Sequence, residues 1–377
     1  MKVLFPIEGD GGGAVTHVLT LAKGLRQYDI SSLVVFLTEG PSVAVARNMG
    51  LHFKKVVKGC LLDPLLIGRL TVLMDWEKID VVHTHTIRGN YYGRLAAALC
   101  KRSMVNVTTV HSHIPDELRG GASFDIKDRL LCRRESLLWP WVDYFICVSE
   151  KIRQRLLTGG IAEKKAEVIG NGVELPDPAR VESYKAAIRA EFGIGDNDIV
   201  IGTVGRLVPL KNHELLLKTA REVSKKIRNV RFLVVGDGPL HQQLVDRSAK
   251  MGLSGVVTFT GWRDDIQSIL SAVDIYVICS VVEGLNISVL EAMACGKPVI
   301  GTDVKGISEL VVSGENGFLV PLNDVAGMAA SIVELIQNPA KRGTMGLNGR
   351  RQVESKYSVK RMVYDTSMIY ERLYSCI

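Results

Sequence analysis

The sequence predicts an α/β fold built from two parallel-sheet domains, and three observations carry that reading. Strand-like apolar runs alternate with helical runs along the chain, a pattern that gives parallel sheets covered by helices. The alternation breaks at Pro176-Asp177-Pro178 and then resumes. The chain has 377 residues, 47% of them hydrophobic, which is enough for a separate core in each half.

In the first half the strand-like runs are Val3–Phe5, Leu33–Leu37, Val81–His83, Val105–Thr109, Tyr144–Val148 and Ala166–Ile169. In the second they are Ile199–Val204, Arg231–Val235, Val256–Thr260, Ile275–Ile278, Pro298–Thr302 and Gly317–Val320. Helical patterns such as Ala14–Gln27, Leu215–Lys226 and Leu240–Lys250 lie between them. Pro6 is expected to cut the first strand short. Two prolines within three residues disfavour any continuing element, so the boundary is placed near 175–197. The first domain is then 1–175 and the second 197–357. A charged helical stretch, Arg180–Phe192, follows the prolines, and a last helix, about Ser358–Tyr374, closes the chain at 358–377. In such sheets ligands bind beyond the carboxyl ends of the strands.

Charge and cysteine usage narrow the function classes. The net charge is +7, which suits nucleic acid, an anionic bilayer or an acidic ligand. No Lys/Arg-rich block is interleaved with aromatics, which argues against nucleic acid. Basic residues are frequent from Lys127 to Arg155 and fit peripheral contact with an anionic membrane. The seven cysteines (Cys60, Cys100, Cys132, Cys147, Cys279, Cys295 and Cys376) form no C-x-x-C pair. Their odd number argues against a disulfide framework and for a reducing, cytoplasmic compartment. Met1–Pro6 is too short for a signal peptide. Arg69 interrupts Leu65–Met74, the best candidate for a membrane span.

The most informative stretch runs from Glu283 to Glu291: Glu-Gly-Leu-Asn-Ile-Ser-Val-Leu-Glu. It follows the strand-like Ile275–Ile278 and leads into Ala292-Met293-Ala294, so it reads as strand, turn and helix start. Gly284, Leu285, Asn286, Ile287 and Ser288 bring unpaired N–H groups and a positive dipole end, which suit a phosphate. Glu283 in the turn can hold sugar hydroxyls, and Glu291 one turn into the helix can hold a ribose. The segment resembles the E-x7-E signature of family 4 retaining glycosyltransferases with the GT-B fold. That resemblance implies two Rossmann-like domains facing a central cleft, with the terminal helix returning to the first domain.

The resemblance extends along nearly the whole chain. Gly205-Arg206-Leu207 with Lys211 is similar to the family's G-R-L-x4-K motif, which implies that Arg206 and Lys211 grip the donor diphosphate. Arginine pairs with phosphate oxygens through two N–H groups, and lysine adds a compact charge. Gly236-Asp237-Gly238-Pro239 resembles G-x-G-P, with Gly236 and Gly238 letting backbone approach the nucleotide. Gly261-Trp262-Arg263 resembles the loop that meets the base, with Arg263 or its backbone reading the base edge. Thr109-Val110-His111 fits the family's T-x-H, implying that His111 sits beside the donor sugar and the reacting carbon. His83 and His85 would line the acceptor side. Asn171-Gly172-Val173 resembles an N-G-V turn of structural character, with Glu174 where aspartate is usual.

Two stretches keep other readings open. Gly9-Asp10-Gly11-Gly12-Gly13-Ala14 matches G-x-G-x-x-A, and Glu39 follows the second strand, as a dinucleotide-binding oxidoreductase would have it. In the family it resembles, this loop meets the acceptor and the phosphates through Gly12 and Gly13. His83-Thr84-His85 and His111-Ser112-His113 are H-x-H pairs at strand ends, which also suit a metal or structural histidines. Nothing in the chain suggests a D-x-D metal site for the diphosphate, so the expected cofactor set is empty: no metal, and the nucleoside-diphosphate sugar as co-substrate. The expected function is retaining transfer of a sugar, UDP-linked by preference, to a hydroxyl of a glycan or lipid-linked acceptor, in cell-surface polysaccharide or glycolipid assembly. A non-catalytic sugar-nucleotide-binding module and a GT-B epimerase are the remaining alternatives.

Overall fold

The computed structural model describes residues 1–9, 11–57, 63–111 and 136–375. Ser112, His113, Cys60, Cys132, Cys376 and the first part of the basic stretch from Lys127 lie outside them. Two compact units emerge, one holding the chain up to Gly172 together with Val359 onwards, the other holding Val173–Ser358. The helical stretch after the proline pair thus lies inside the second unit.

The first unit carries a seven-stranded parallel sheet. Its strands are β1 (Lys2–Ile7), β2 (Ser31–Phe36), β3 (Phe53–Lys55), β4 (Val81–Thr84), β5 (Val105–Val110), β6 (Tyr144–Cys147) and β7 (Ala166–Val168). They lie in the order β3-β2-β1-β4-β5-β6-β7. Among the described residues its helices are α1 (Gly13–Gly24), α2 (Ser42–Asn48), α3 (Pro64–Trp76), α4 (Ile87–Leu99) and α5 (Glu150–Thr158). The second unit has α6 (Pro178–Glu191), β8 (Ile199–Val204), α7 (His213–Lys226), β9 (Val230–Val235), α8 (His241–Lys250) and β10 (Val257–Gly261). It continues through α9 (Ile266–Ala272), β11 (Ile275–Ile278), α10 (Ile287–Ala294), β12 (Val299–Thr302), β13 (Gly317–Val320), α11 (Val325–Gln337) and α12 (Pro339–Lys356). Its six strands run β10-β9-β8-β11-β12-β13. The last helix, α13 (Val359–Tyr374), belongs to the first unit.

Alternation along each strand fills two faces of the first sheet. Val3, Phe5 and Ile7 join a core with α1 and with Met362, Val363, Ile369 and Tyr370 of α13. Leu4, Leu33 and Val35 join the opposite core with Leu66, Leu70 and Met74 of α3. A Cβ built on Gly24 would lie 2.4 Å from Val363 Cγ2, so glycine is what lets α13 approach α1 this closely.

Pro6 does not end β1, which continues to Ile7 with Pro6 registered against Val35. In a parallel strand alternate residues point their amides to opposite neighbours. Ile7 accepts from Leu37 on the β2 side and Lys2 accepts from Asp80 on the β4 side, which puts Pro6 on the β4 side. The β1–β4 register stops at Leu4↔Val82, so the missing donor of Pro6 falls where no ladder bond is needed.

Both sheets reverse strand order beside their first strand, at β1/β4 and at β8/β11. Such switch points open a crevice at the strand carboxyl ends. The Gly9–Ala14 loop, His85, Arg206 with Lys211 and the Glu283–Glu291 stretch follow these four strands.

Candidate active site

In the second unit the loops after β8 and β11 bring the motif residues together. Lys211 Nζ donates to Glu283 Oε1 at 2.5 Å, across 72 positions of sequence. Ser280 Oγ donates to the same carboxylate oxygen at 2.5 Å, and Thr302 Oγ1 holds the Ser280 carbonyl at 2.6 Å. The Val281 N–H donates to the Leu210 carbonyl and fastens one loop to the other. Arg206 is exposed at the end of β8, and its guanidinium has no partner among the described residues. One cation is therefore held against Glu283 and a second stands free.

Glycine geometry brings the loop backbones together. A Cβ on Gly236 (φ +131°) would sit 2.1 Å from the Gly205 carbonyl oxygen, and one on Gly238 would sit 2.6 Å from that of Leu207. These two glycines are thus required by contact with the Arg206 loop itself, a nearer cause than approach to a ligand. Gly306 (φ +92°) does the same for the turn after β11, its Cβ position lying 2.0 Å from the Gly284 carbonyl oxygen. The sequence reading missed Gly306, because its partner is 22 residues away and no local motif marks it.

The start of α10 is fixed by its own polar side chains. Asn286 caps the helix by accepting from the Val289 N–H at 3.0 Å. Ser288 Oγ donates within reach of Asn286 Oδ1 (2.7 Å) and of the Val204 carbonyl (3.0 Å). Tyr276 Oη, fully buried in β11, lies 2.8 Å from Ser288 Oγ and 3.2 Å from the Val204 N–H. Asn286 and Ser288 therefore have their side chains committed to the scaffold, and what they offer a ligand is backbone. The N–H groups of Ile287 and Ser288 have no acceptor among the described residues, as the first turn of a helix requires. Leu285 is buried beneath them.

Glu291 stands further along α10, partly covered, and its carboxylate has no hydrogen-bond partner among the described residues. Desolvation without compensation lifts it to about 7. Arg263, by contrast, is engaged: it pairs with Glu191 and with Asp265 (2.7 Å) and lies over the Phe192 ring. Its guanidinium joins α6 to the loop after β10, leaving the backbone of that loop, with half-exposed Trp262, to meet a ligand.

The first unit gathers histidines at the ends of β4 and β5. His83 is buried with Nδ1 on Tyr370 Oη (2.5 Å) and Nε2 on Thr109 Oγ1 (2.8 Å). His85 Nδ1 lies 3.1 Å from His111 Nε2. His17, which the sequence reading did not select, joins them from α1, its Nδ1 2.9 Å from Asn171 Oδ1. Its signal was a lone polar residue among Val15, Val18 and Leu19 on the buried face of a helix. Burial pushes all four imidazoles down, His17 to about 4 and the others well below their ordinary value, so they are neutral at pH 7. Gly12 (φ +102°) precedes α1 with no atom within 4 Å of its Cβ position, and Gly13 opens the helix. Glu39, which a dinucleotide reading would use, faces Lys55 of β3 at 2.7 Å.

Comparison with known proteins places the chain. The family description "Glycosyl transferases group 1" matches residues 185–352, and "Glycosyltransferase Family 4" matches residues 11–176. EpsD of Bacillus subtilis (strain 168), which bears a glycosyltransferase name, is 30% identical over 80% of this chain and 79% of its own. The Escherichia coli UDP-Gal:alpha-D-GlcNAc-diphosphoundecaprenol alpha-1,3-galactosyltransferase is 29% identical over 79% of this chain and 76% of its own. Among solved structures, Anabaena Alr3699/HepE in complex with UDP and glucose superposes with a TM-score of 0.84 at 22% identity, covering 98% of this chain and 99% of that one. The paired parallel-sheet units define a GT-B transferase. The chain belongs to the family 4 glycosyltransferases, and the oxidoreductase alternative is set aside by that membership.

The isolated carboxyl of Glu291 makes stability depend on pH. Its folded value, about 7, lies above the ordinary 4.5, so between those values the folded chain holds a proton that the unfolded chain has released. Stability from this group is full below about pH 4.5 and is lost as pH rises through 7. Glu291→Gln should match the parent at pH 4.5 and exceed it at pH 8 by about 2–3 kcal/mol in urea unfolding of the second unit. Parallel curves for the two proteins across that range would show that the carboxyl is not desolvated.

Proposed function

We propose that this transferase moves a sugar, with retention of configuration, from a UDP-linked donor to a hydroxyl of a lipid-linked glycan in cell-surface polysaccharide or glycolipid assembly. The observation that carries the reading is the joint placement of Lys211, Glu283, the α10 amides and Glu291 at the β8/β11 switch point. These groups match the parts of a nucleoside-diphosphate sugar. The free guanidinium of Arg206, the Lys211 ammonium and the Ile287 and Ser288 amides would hold the diphosphate. Glu283 would take donor hydroxyls, and Glu291 the ribose diol. His111, neutral and partly exposed, would shape the face at which the acceptor hydroxyl attacks. In front-face substitution the departing phosphate accepts the acceptor's proton, so no protein nucleophile is assigned. Charge placement and orientation then lower the barrier. The positive groups already compensate the leaving phosphate, so transfer is expected to persist with a chelator present.

The names of relatives support the finer statements. The E. coli relative names a UDP-galactose donor and a diphosphoundecaprenol acceptor. A Staphylococcus aureus relative, 29% identical, is named as a capsular polysaccharide biosynthesis glycosyltransferase. The α3 helix supports membrane contact at the cytoplasmic face. Leu66, Leu70 and Met74 face the core, while Leu65, Val72 and Trp76 are 70%, 68% and 80% exposed, with exposed Arg69 between them. A helix apolar on its outer face with a cation in the stripe suits an anionic bilayer surface. No helix among the described residues is long and apolar enough to cross a membrane.

Two experiments test the reading. Arg206→Ala, Lys211→Ala and Glu283→Ala should each lower turnover of a UDP-sugar about 100-fold or more, the effect of losing one electrostatic contact of about 2.7–4 kcal/mol. Because Lys211 and Glu283 share one hydrogen bond, the Lys211→Ala/Glu283→Ala double variant should lose far less than the product of the single losses. Near-parental rates in all three single variants would remove the assigned roles. For the membrane, sedimentation with phosphatidylglycerol vesicles should capture the parent and release Val72→Glu/Trp76→Glu. Equal capture of both would dismiss α3 as the contact.

A further inference from the structure

His17, His85 and His111 each bring one ring nitrogen within 4.8 Å of the others. The rings form one group, with centroids 4.8 Å apart for His17 and His111, 5.3 Å for His17 and His85, and 5.4 Å for His85 and His111. The 3.1 Å between His85 Nδ1 and His111 Nε2 is close to the edge of a tetrahedron of nitrogens about 2.0–2.1 Å from Zn²⁺, roughly 3.3 Å. His17 donates its Nδ1 proton to Asn171 Oδ1, which leaves the lone pair on Nε2. A carbonyl accepting from the outer nitrogen is the usual way of fixing a metal-binding imidazole. His83 is not available, since both its nitrogens are used by Tyr370 and Thr109.

The His85 ring is poorly satisfied without a ligand. His85 is 4% exposed, and its Nε2 has no hydrogen-bond partner among the described residues. Whichever of His85 and His111 donates to the other, one polar nitrogen of His85 stays buried and unpaired, at a cost of about 1–3 kcal/mol. A cation held between His85 Nδ1 and His111 Nε2 replaces the ring's one contact, to another uncharged imidazole, with a bond to the metal.

The geometry points to a cation site: His17, His85 and His111 together bind one borderline divalent ion, with Zn²⁺ the best match for an all-imidazole set. His111 is the partly exposed member, which leaves a fourth position for water. An ion here withholds His111 from the acceptor face, so Zn²⁺ inhibits transfer instead of assisting it. That consequence rests on the transferase mechanism proposed above, whereas ion binding itself does not.

The test uses the full chain, stripped with a chelator, desalted and titrated with Co²⁺. One equivalent should bind with the visible absorption of a tetrahedral site, and Zn²⁺ should displace it. His17→Ala and His85→Ala should weaken binding about 100-fold or more, and Asn171→Ala about 10-fold, the expected cost of an outer-sphere partner, with circular dichroism unchanged. If those variants fail to fold, zinc X-ray absorption of the parent should count three imidazoles at about 2.0 Å. No bound Co²⁺ in the parent, binding undiminished in both histidine variants, or fewer than three imidazoles would each overturn the site. Binding at the cluster without loss of transfer would overturn the inhibitory consequence alone.

Discussion

The hydroxyl of Tyr276 is the point on which the second unit's site depends. It is buried in β11 and reaches both the first turn of α10, through Ser288, and the end of β8, through the Val204 amide. Burial pushes this phenol well above its ordinary value, so it remains a neutral donor and acceptor. The bond holds the two strands at the switch point in a fixed relation to the helix start. The loops that leave those strands then inherit their positions. Lys211 meets Glu283 because Leu210 and Val281 are joined through their backbones. Glycines at 236, 238 and 306 remove the Cβ atoms that would hold the loops apart. The Lys211–Glu283 pair is thus set by a scaffold that itself carries little charge.

The first unit uses the opposite chemistry. Its strand-end cluster is made of uncharged rings held by neighbours: Tyr370 and Thr109 bond His83, and Asn171 Oδ1 fixes the proton of His17 on Nδ1. Tyr370 comes from the last helix and Asn171 from the final residues before the unit boundary. Segments remote in sequence therefore hold the rings next to His111 in place. A cluster arranged in this way suits the approach of a hydroxyl and, on the inference above, a borderline cation.

Much of the fold was legible because buried parallel strands are continuous apolar runs. Each run named from the sequence has a strand in the structure. The strand it lacked, Phe53–Lys55, is three residues long, lies at the sheet edge and carries two lysines, so it shows no apolar signature. Pro6 misled because proline was judged without knowing which neighbour its amide faces. The site motifs were legible because each is a local turn at a strand end. Their pairing was not: Lys211 with Glu283 and Arg263 with Glu191 each span 72 positions. Tyr276 read as a strand residue and His17 as part of an amphipathic helix, since burial of a polar tip leaves no mark in local sequence.

We propose that Glu291, the unpartnered acid on α10, receives the donor ribose. Its carboxyl is near half protonated at pH 7, given a value of about 7, and two sugar hydroxyls donating to it would favour the ionised form. Calorimetric titration with UDP at pH 7, in buffers of different ionisation enthalpy, measures the protons exchanged. The account predicts release of about half a proton per UDP bound, absent in Glu291→Gln. Binding of UDP with no proton released, or with the same release in that variant, would contradict it.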